Sequence, residues 1–112
     1  MVKLNQSLDR TFGALSDSTR RAVLERLARG PCQTSELASE HAMTLAGMLK
    51  HVRILETAGL VRTTKHGRSR FCEIQPESCA PALEWLTNYR ERWHQRFRSL
   101  EAYLDQLDSQ DA

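Results

Sequence analysis

Between Thr44 and Ile74 three signals follow one another in an order that few folds accommodate. An amphipathic stretch, MTLAGMLKHVRILETAG, carries a capping residue at Thr44 and closes on Gly59, the start and stop marks of a helix. Two short β-prone runs follow, LVRTTK and SRFCEI, joined at His66-Gly67-Arg68, where the glycine tolerates positive φ. Charge is the third signal: Lys50, Arg53, Arg62, Lys65, Arg68 and Arg70 are opposed by a single acid, Glu56. A helix of major-groove size followed by a cationic hairpin is how small winged-helix proteins grip duplex DNA.

The net charge of +2 hides this feature until it is divided along the chain. Residues 1–49 carry six basic and five acidic side chains, residues 50–70 six and one, and residues 71–112 four and eight. The positive charge therefore gathers where a phosphate backbone would use it, and the acidic last segment is expected to lie away from DNA.

The 112 residues suffice for one domain over 1–112 with a modest core, and 40% apolar with 27% charged residues is globular composition. No apolar run approaches the roughly 20 residues of a transmembrane helix. The N-terminal MVKLNQSLDRTFGAL lacks the apolar region and cleavage site of a secretory leader, so a cytoplasmic setting is expected. Three cysteines, an odd number without close pair spacing, argue against a disulfide framework. There is no Gly-rich phosphate loop, metal triad or placed Ser-His or Cys-His pair, so neither an enzyme nor a cofactor is expected.

Leu4, Leu8, Phe12 and Leu15 recur at helical spacing and predict a short first helix. Asp17 or Ser18 caps a second, STRRAVLERLARG, with Val23, Leu24 and Leu27 inward and Gly30 at its end. Pro31-Cys32-Gln33 reads as an extended connector. Thr34 or Ser35 caps a short third helix, and His41-Ala42-Met43 turns into the fourth, giving a helix-turn-helix. The fold expected is mainly α with a small β-hairpin wing: about five helices and two to three short strands.

Pro76-Glu77-Ser78 opens the longest helix, running to about Leu107, with Asp108 to Ala112 frayed. Leu83, Leu86, Trp93, Phe97, Leu100, Leu104 and Leu107 form a heptad-like seam interrupted only by Arg90, flanked by Trp85, Tyr89 and Tyr103. About 30 helical residues span roughly 45 Å, more than so small a domain covers. Either the helix folds back on its own core, or a second copy covers it through the first and last helices. The second alternative makes Leu8, Phe12, Leu86, Trp93, Phe97, Leu100 and Leu104 dimer contacts.

On the fourth helix Leu45, Met48, Val52 and Leu55 share one face and are expected to be inward. Ala46, Gly47, Leu49, Lys50 and Arg53 lie on the other. Small residues near the N-terminus admit base edges, Lys50 and Arg53 suit phosphates or guanine, and Thr44 offers a phosphate its hydroxyl and amide. On the hairpin, Arg62, Lys65, Arg68 and Arg70 bracket the turn, and such a wing would reach the backbone or a minor groove, with Lys65, Arg68 and Arg70 as the candidate contacts. A solvated charged face is the bland alternative, and His51 and His66 are read as structural or exposed rather than as ligands.

LDRTFGALSDSTRRAVLERLARG, TSELASEHAMTLAGMLKHVRILETAGLV, the wing and ALEWLTNYRERW together resemble the ArsR/SmtB family of winged helix-turn-helix repressors, from about Leu8 to Leu107. The resemblance implies a homodimer, joined through first and last helices, that represses by binding a palindromic operator on double-stranded DNA. It turns Thr44, Ala46, Gly47, Leu49, Lys50 and Arg53 toward the groove and puts Arg68 and Arg70 on the wing. Leu49 stands where many relatives carry a small polar residue. The Trp-rich last helix is similar to the branch without a recognised metal site.

Neither metal-ligand pattern of the family is present: SELASEH and the next helix lack cysteine, and the last helix offers only His94. Cys32, on the connector expected to pair with the return strand, Cys72, on that strand and inward with Ile74, and Cys79, in the first turn of the last helix, remain. Packing is their expected role. A thiol switch or an arsenite or other soft-metal site through the three is the alternative. A winged-helix protein-interaction module is a further alternative for the whole chain. The inducer is not legible in the sequence.

Overall fold

The computed structural model describes residues 2–111, with side chains over 5–109. The elements are α1 (Val2–Leu15), α2 (Ser18–Leu27), β1 (Cys32–Gln33), α3 (Thr34–Glu40), α4 (Leu45–Thr57), β2 (Val61–His66), β3 (Ser69–Ile74), a 3-10 turn (Pro76–Cys79) and α5 (Ala80–Asp111). Two compact units emerge, one ending at Ala82 and one beginning at Leu83 within α5. The side chain of Leu4, assigned above to the first amphipathic stripe, lies outside the described residues.

In the first unit, Val23, Leu27, Leu37, Met48, Val52, Leu55, Leu60 and Val61 form one core with Cys32 and Cys72. The three strands are antiparallel in the order β1-β3-β2. Register follows from the two-residue turn at Gly67-Arg68, which pairs His66 with Ser69 and, further down, Lys65 with Arg70 and Arg62 with Glu73. Gly67 has φ +63°, as the first turn position of a primed hairpin turn requires.

Helix ends explain much of the local sequence. Asp17 caps α2, and the N–H of Arg20 donates to its carboxylate at 3.0 Å. Thr44 caps α4, accepting from the N–H of Gly47 at 3.1 Å. Both α3 and α4 end in Schellman motifs. Met43 N–H donates to Ala38 and Ala42 N–H to Ser39; Leu60 N–H donates to Leu55 and Gly59 N–H to Glu56. The left-handed residue is Gly59 in one, at φ +77°, and Ala42 in the other, at φ +52°.

Four expectations are corrected. Neither Thr34 nor Ser35 caps α3: Gln33 holds the cap position, and Thr34 is buried in the helix with its hydroxyl toward the Arg70 carbonyl. Leu45 is 47% exposed, one turn ahead of Met48 at 0%. The last helix begins at Ala80, after a 3-10 turn that contains Cys79, and continues to Asp111 through the segment expected to fray. Ile74 is exposed although Cys72, two residues earlier on the strand, is fully buried.

In the second unit, α5 carries the apolar seam as an exposed stripe: Leu83, Leu86, Trp93, Phe97, Leu100, Leu104 and Leu107 are all exposed. Aromatic rings climb it at four-residue steps. Trp85 stacks on Tyr89 at 5.6 Å, Tyr89 meets Trp93 at 6.2 Å, and Trp93 meets Phe97 at 6.0 Å.

Candidate nucleic-acid interface

The buried stripe of α4 is Met48, Val52 and Leu55. Ala46, Lys50, Arg53 and Thr57, on the opposite stripe at i, i+4, i+7 and i+11, are all exposed. Gly47 and Leu49 are half-buried on its flanks, and Thr44 is exposed at the cap. A small residue, a lysine and an arginine thus form one outward row along the helix. Gly47 owes its size to the cap: a Cβ there would stand 3.2 Å from the Thr44 hydroxyl.

The wing continues the positive surface unevenly. Lys65, Arg68 and Arg70 are exposed at its tip. Arg62, in the fifth pair from the turn, is ion-paired to its register partner Glu73, which removes it from the cations available to a phosphate. Glu56, the one acid of the segment, accepts from the Thr63 amide at 3.1 Å and hydroxyl at 2.7 Å, tying the second half of α4 to β2. The field of the tip is left uncompensated, with Lys65 directly opposite Arg70.

A junction not anticipated in the sequence braces α4 from behind. Arg20 of α2 donates from Nε to the Ala14 carbonyl at 2.8 Å and from a terminal nitrogen to the Gly13 carbonyl at 3.1 Å. These carbonyls belong to the last turn of α1, where i→i+4 donors run out; that of Gly13 also accepts from the Ser16 N–H at 3.2 Å and hydroxyl at 2.6 Å. The other terminal nitrogen lies 3.3 Å from His51 Nδ1 on α4. Asp17, 3.8 Å from the same ring nitrogen, has its carboxyl held below the usual range, chiefly by the Arg20 backbone N–H. One guanidinium therefore joins α1, α2 and α4. The signal was present in ALSDSTRR, where Arg20 follows the cap Asp17 by three residues.

The cysteines sit behind this surface. Cys32 and Cys72 are register partners across β1 and β3, both buried, and Cys79 is half-buried. Burial pushes the Cys72 thiol up to about 12. Burial raises Cys32 as well, against the pull of Arg26, while its Sγ donates to Glu36 at 3.5 Å. Thiols so held are protonated at neutral pH, the opposite of a reactive thiolate. Cys32, Glu36 and Glu40 place ligand atoms within 4.8 Å of one another. Arg26 occupies that neighbourhood, 3.2 Å from Glu40, and sets a positive charge where a cation would bind. No helix of the described residues is long and apolar enough to cross a membrane.

Comparison with known proteins agrees with this geometry. A family model described as a helix-turn-helix domain matches residues 15–64. The chain is 34% identical over 105 residues to the HTH-type transcriptional regulator Rv2034 of Mycobacterium tuberculosis, covering 94% of this chain and 92% of that protein. It is 44% identical to the crystal structure of an ArsR family transcriptional regulator, with a TM-score of 0.75 over 80% of this chain and 93% of that one. The homodimeric winged helix-turn-helix DNA-binding domain Mb0332 of Mycobacterium bovis shares the fold at 23% identity, with a TM-score of 0.65 over 83% of this chain and 88% of that one.

Proposed function

This chain belongs to the ArsR/SmtB family of winged helix-turn-helix transcriptional regulators, and we propose that it acts as a cytoplasmic homodimeric repressor on a palindromic operator. Its matched relatives are transcriptional regulators rather than enzymes. In this reading residues 1–112 are a single DNA-binding domain whose first and last helices, through Leu8, Phe12, Leu86, Trp93, Phe97, Leu100 and Leu104, hold the dimer. The exposed α5 seam supports that contact. Ala46, Gly47, Leu49, Lys50 and Arg53 enter the major groove, Thr44 takes a phosphate at the cap, and Lys65, Arg68 and Arg70 reach the backbone alongside. Two such helices face successive major grooves about 34–36 Å apart.

The observation that carries the reading is the wing tip. Like charges directly opposite on a hairpin destabilise it, yet Lys65 faces Arg70 with Arg68 in the turn between them. An anionic ligand as extended as a phosphate backbone relieves that repulsion. Cys32 and Cys72, both buried and with their thiols raised by that burial, act as packing residues here rather than as thiol or arsenite sensors, and half-buried Cys79 packs against the same core.

The test is anisotropy titration against duplexes selected by the protein from random DNA, repeated over a range of salt. Each phosphate neutralised contributes about −0.9 to the logarithmic salt slope, so Lys50→Gln in both protomers flattens it by about 1.8. Arg62→Gln, whose cation Glu73 already holds, changes it by less than about half as much. Sequence-independent affinity sinks the repressor. Unaltered binding after charge reversal at Lys50, Arg53 and Arg68 leaves a protein-interaction module instead.

A further inference from the structure

We propose that the groove between α1 and α4 is an effector site for a small anionic amphiphile, an acid head on an apolar body, whose binding withdraws Arg53 from DNA. The effector role rests on the DNA-binding reading above; the ligand site does not. Arg10, Gly13 and Ala14 line one wall, and Arg53, Ile54 and Ala58 line the other, around about 370 Å³. That volume lies at the lower end of small-molecule pockets, about 300–1,000 Å³.

Three features make this more than a gap between helices. Ile54 is 43% exposed within it, although the neighbouring Val52 and Leu55 are buried, so an apolar side chain on the recognition helix is left for something to cover. Gly13 stands inside α1, where glycine weakens a helix relative to alanine, and a Cβ there would meet nothing within 4 Å. The space over the helix is open at the one residue that contributes no side chain. The third feature is charge.

Arg20, Arg21, Arg26 and Arg62 each reach a carbonyl or a carboxylate. Arg10 and Arg53 have no hydrogen-bond or ion-pair partner among the described residues. No carboxylate lines the groove. Two unpaired guanidiniums beside an apolar floor select an anion with a hydrocarbon body, and a carboxylate suits a guanidinium through paired N–H···O bonds.

The consequence for DNA follows from the helix. Arg53 shares the exposed stripe of α4 with Ala46 and Lys50. A carboxylate paired with Arg53 occupies a cation that would otherwise meet a phosphate, and it adds a negative charge beside the duplex. Ligand and operator then compete for one side chain, which gives a repressor its release signal without any long-range change.

The experiment uses the full chain, with octanoate as the probe and octan-1-ol as its uncharged counterpart. Without DNA, octanoate is expected to bind once per protomer in calorimetry and to move the backbone amide resonances of residues 10–14 and 53–58. Octan-1-ol is expected to bind at least about tenfold more weakly, and Arg10→Gln to weaken octanoate by about tenfold. Gly13→Leu fills the groove and abolishes binding, whereas Gly13→Ala keeps it and controls for the fold. With a selected duplex present, octanoate should weaken DNA binding by wild type and leave Gly13→Leu unaffected.

Equal binding of octanoate by wild type and both Arg10→Gln and Gly13→Leu, or equal affinity for octan-1-ol, overturns the site. If octanoate does not bind and Gly13→Leu weakens self-association, a second copy occupies the groove and the proposal is wrong. If octanoate binds as described but leaves DNA affinity unchanged, the effector role falls. A protein that binds octanoate and no duplex at all refutes the repressor reading while leaving the ligand site standing.

Discussion

Arg20→Met removes the junction between α1, α2 and α4 while keeping much of the aliphatic volume of the side chain. Three bonds are lost: to the Ala14 carbonyl at 2.8 Å, the Gly13 carbonyl at 3.1 Å and His51 Nδ1 at 3.3 Å. A bond from a charged donor contributes about 1.5–3 kcal/mol when buried. These are half-buried or exposed, and water replaces part of what is lost. Taking about 1 kcal/mol for the shortest and about 0.5 for each of the others gives a loss of about 2 kcal/mol.

Urea unfolding reads this directly. With a slope of about 2 kcal/mol/M, typical of a small domain, the midpoint should fall by about 1 M at unchanged slope. Arg21→Met is the internal control, because Arg21 makes one exposed bond, to the Leu15 carbonyl at 2.8 Å; it should cost about 0.5 kcal/mol. Arg20→Lys, which can serve one acceptor at a time, should fall between. If Arg20→Met costs no more than Arg21→Met, the guanidinium is not the brace and α4 is held by its apolar face alone.

Two further outcomes test the helix ends and the core. The Schellman turns predict opposite signs for two exchanges. Gly59→Ala forces a Cβ at φ +77° to within 2.9 Å of the Ser78 hydroxyl and should destabilise by about 1–3 kcal/mol. Ala42→Gly at φ +52° should be neutral or stabilise by up to about 1 kcal/mol. Like signs in chemical denaturation would contradict the left-handed assignment. The Cys72 thiol, raised to about 12 when folded, sits above its unfolded value of about 8.5. Its contribution is therefore full below that value and lost as pH rises toward 12, by about 1.4 kcal/mol per pH unit at most. The difference in unfolding free energy between wild type and Cys72→Ala should shrink between pH 8 and 10, and a constant difference would mean the thiol is not desolvated.

What the sequence made legible was local. Thr44, Asp17, Gly59 and Gly67 mark helix and turn ends through interactions with residues one to five positions away, so composition at each site sufficed. Periodicity fixes the angle of a residue around a helix but not how far along the axis its cover extends. Leu45 and Met48 therefore share one stripe, yet Leu45 is exposed and Met48 is buried. Ile74 fails similarly: alternation names its face, but not that it is exposed while its register partner Val61 is buried. Arg20 was invisible because its acceptors are backbone carbonyls of another helix, which no pattern of side chains records.

The charge of the segment from Lys50 to Arg70 needed register before it could be interpreted. A two-residue turn at Gly67-Arg68 puts Arg62 opposite Glu73, an acid that lies outside the basic segment from Lys50 to Arg70. The same turn puts Lys65 opposite Arg70. The hairpin therefore neutralises its base and concentrates repulsion at its tip, a like-charge pair that costs about 0.2–1 kcal/mol. A wing shaped for its own stability would exchange these positions: an acid opposite Lys65 is as easily encoded as one opposite Arg62. The base of the hairpin packs next to α4 through Glu56 and Thr63 and gains from being quiet. The tip reaches outward, where an uncompensated field is useful only to an anion that arrives from solution.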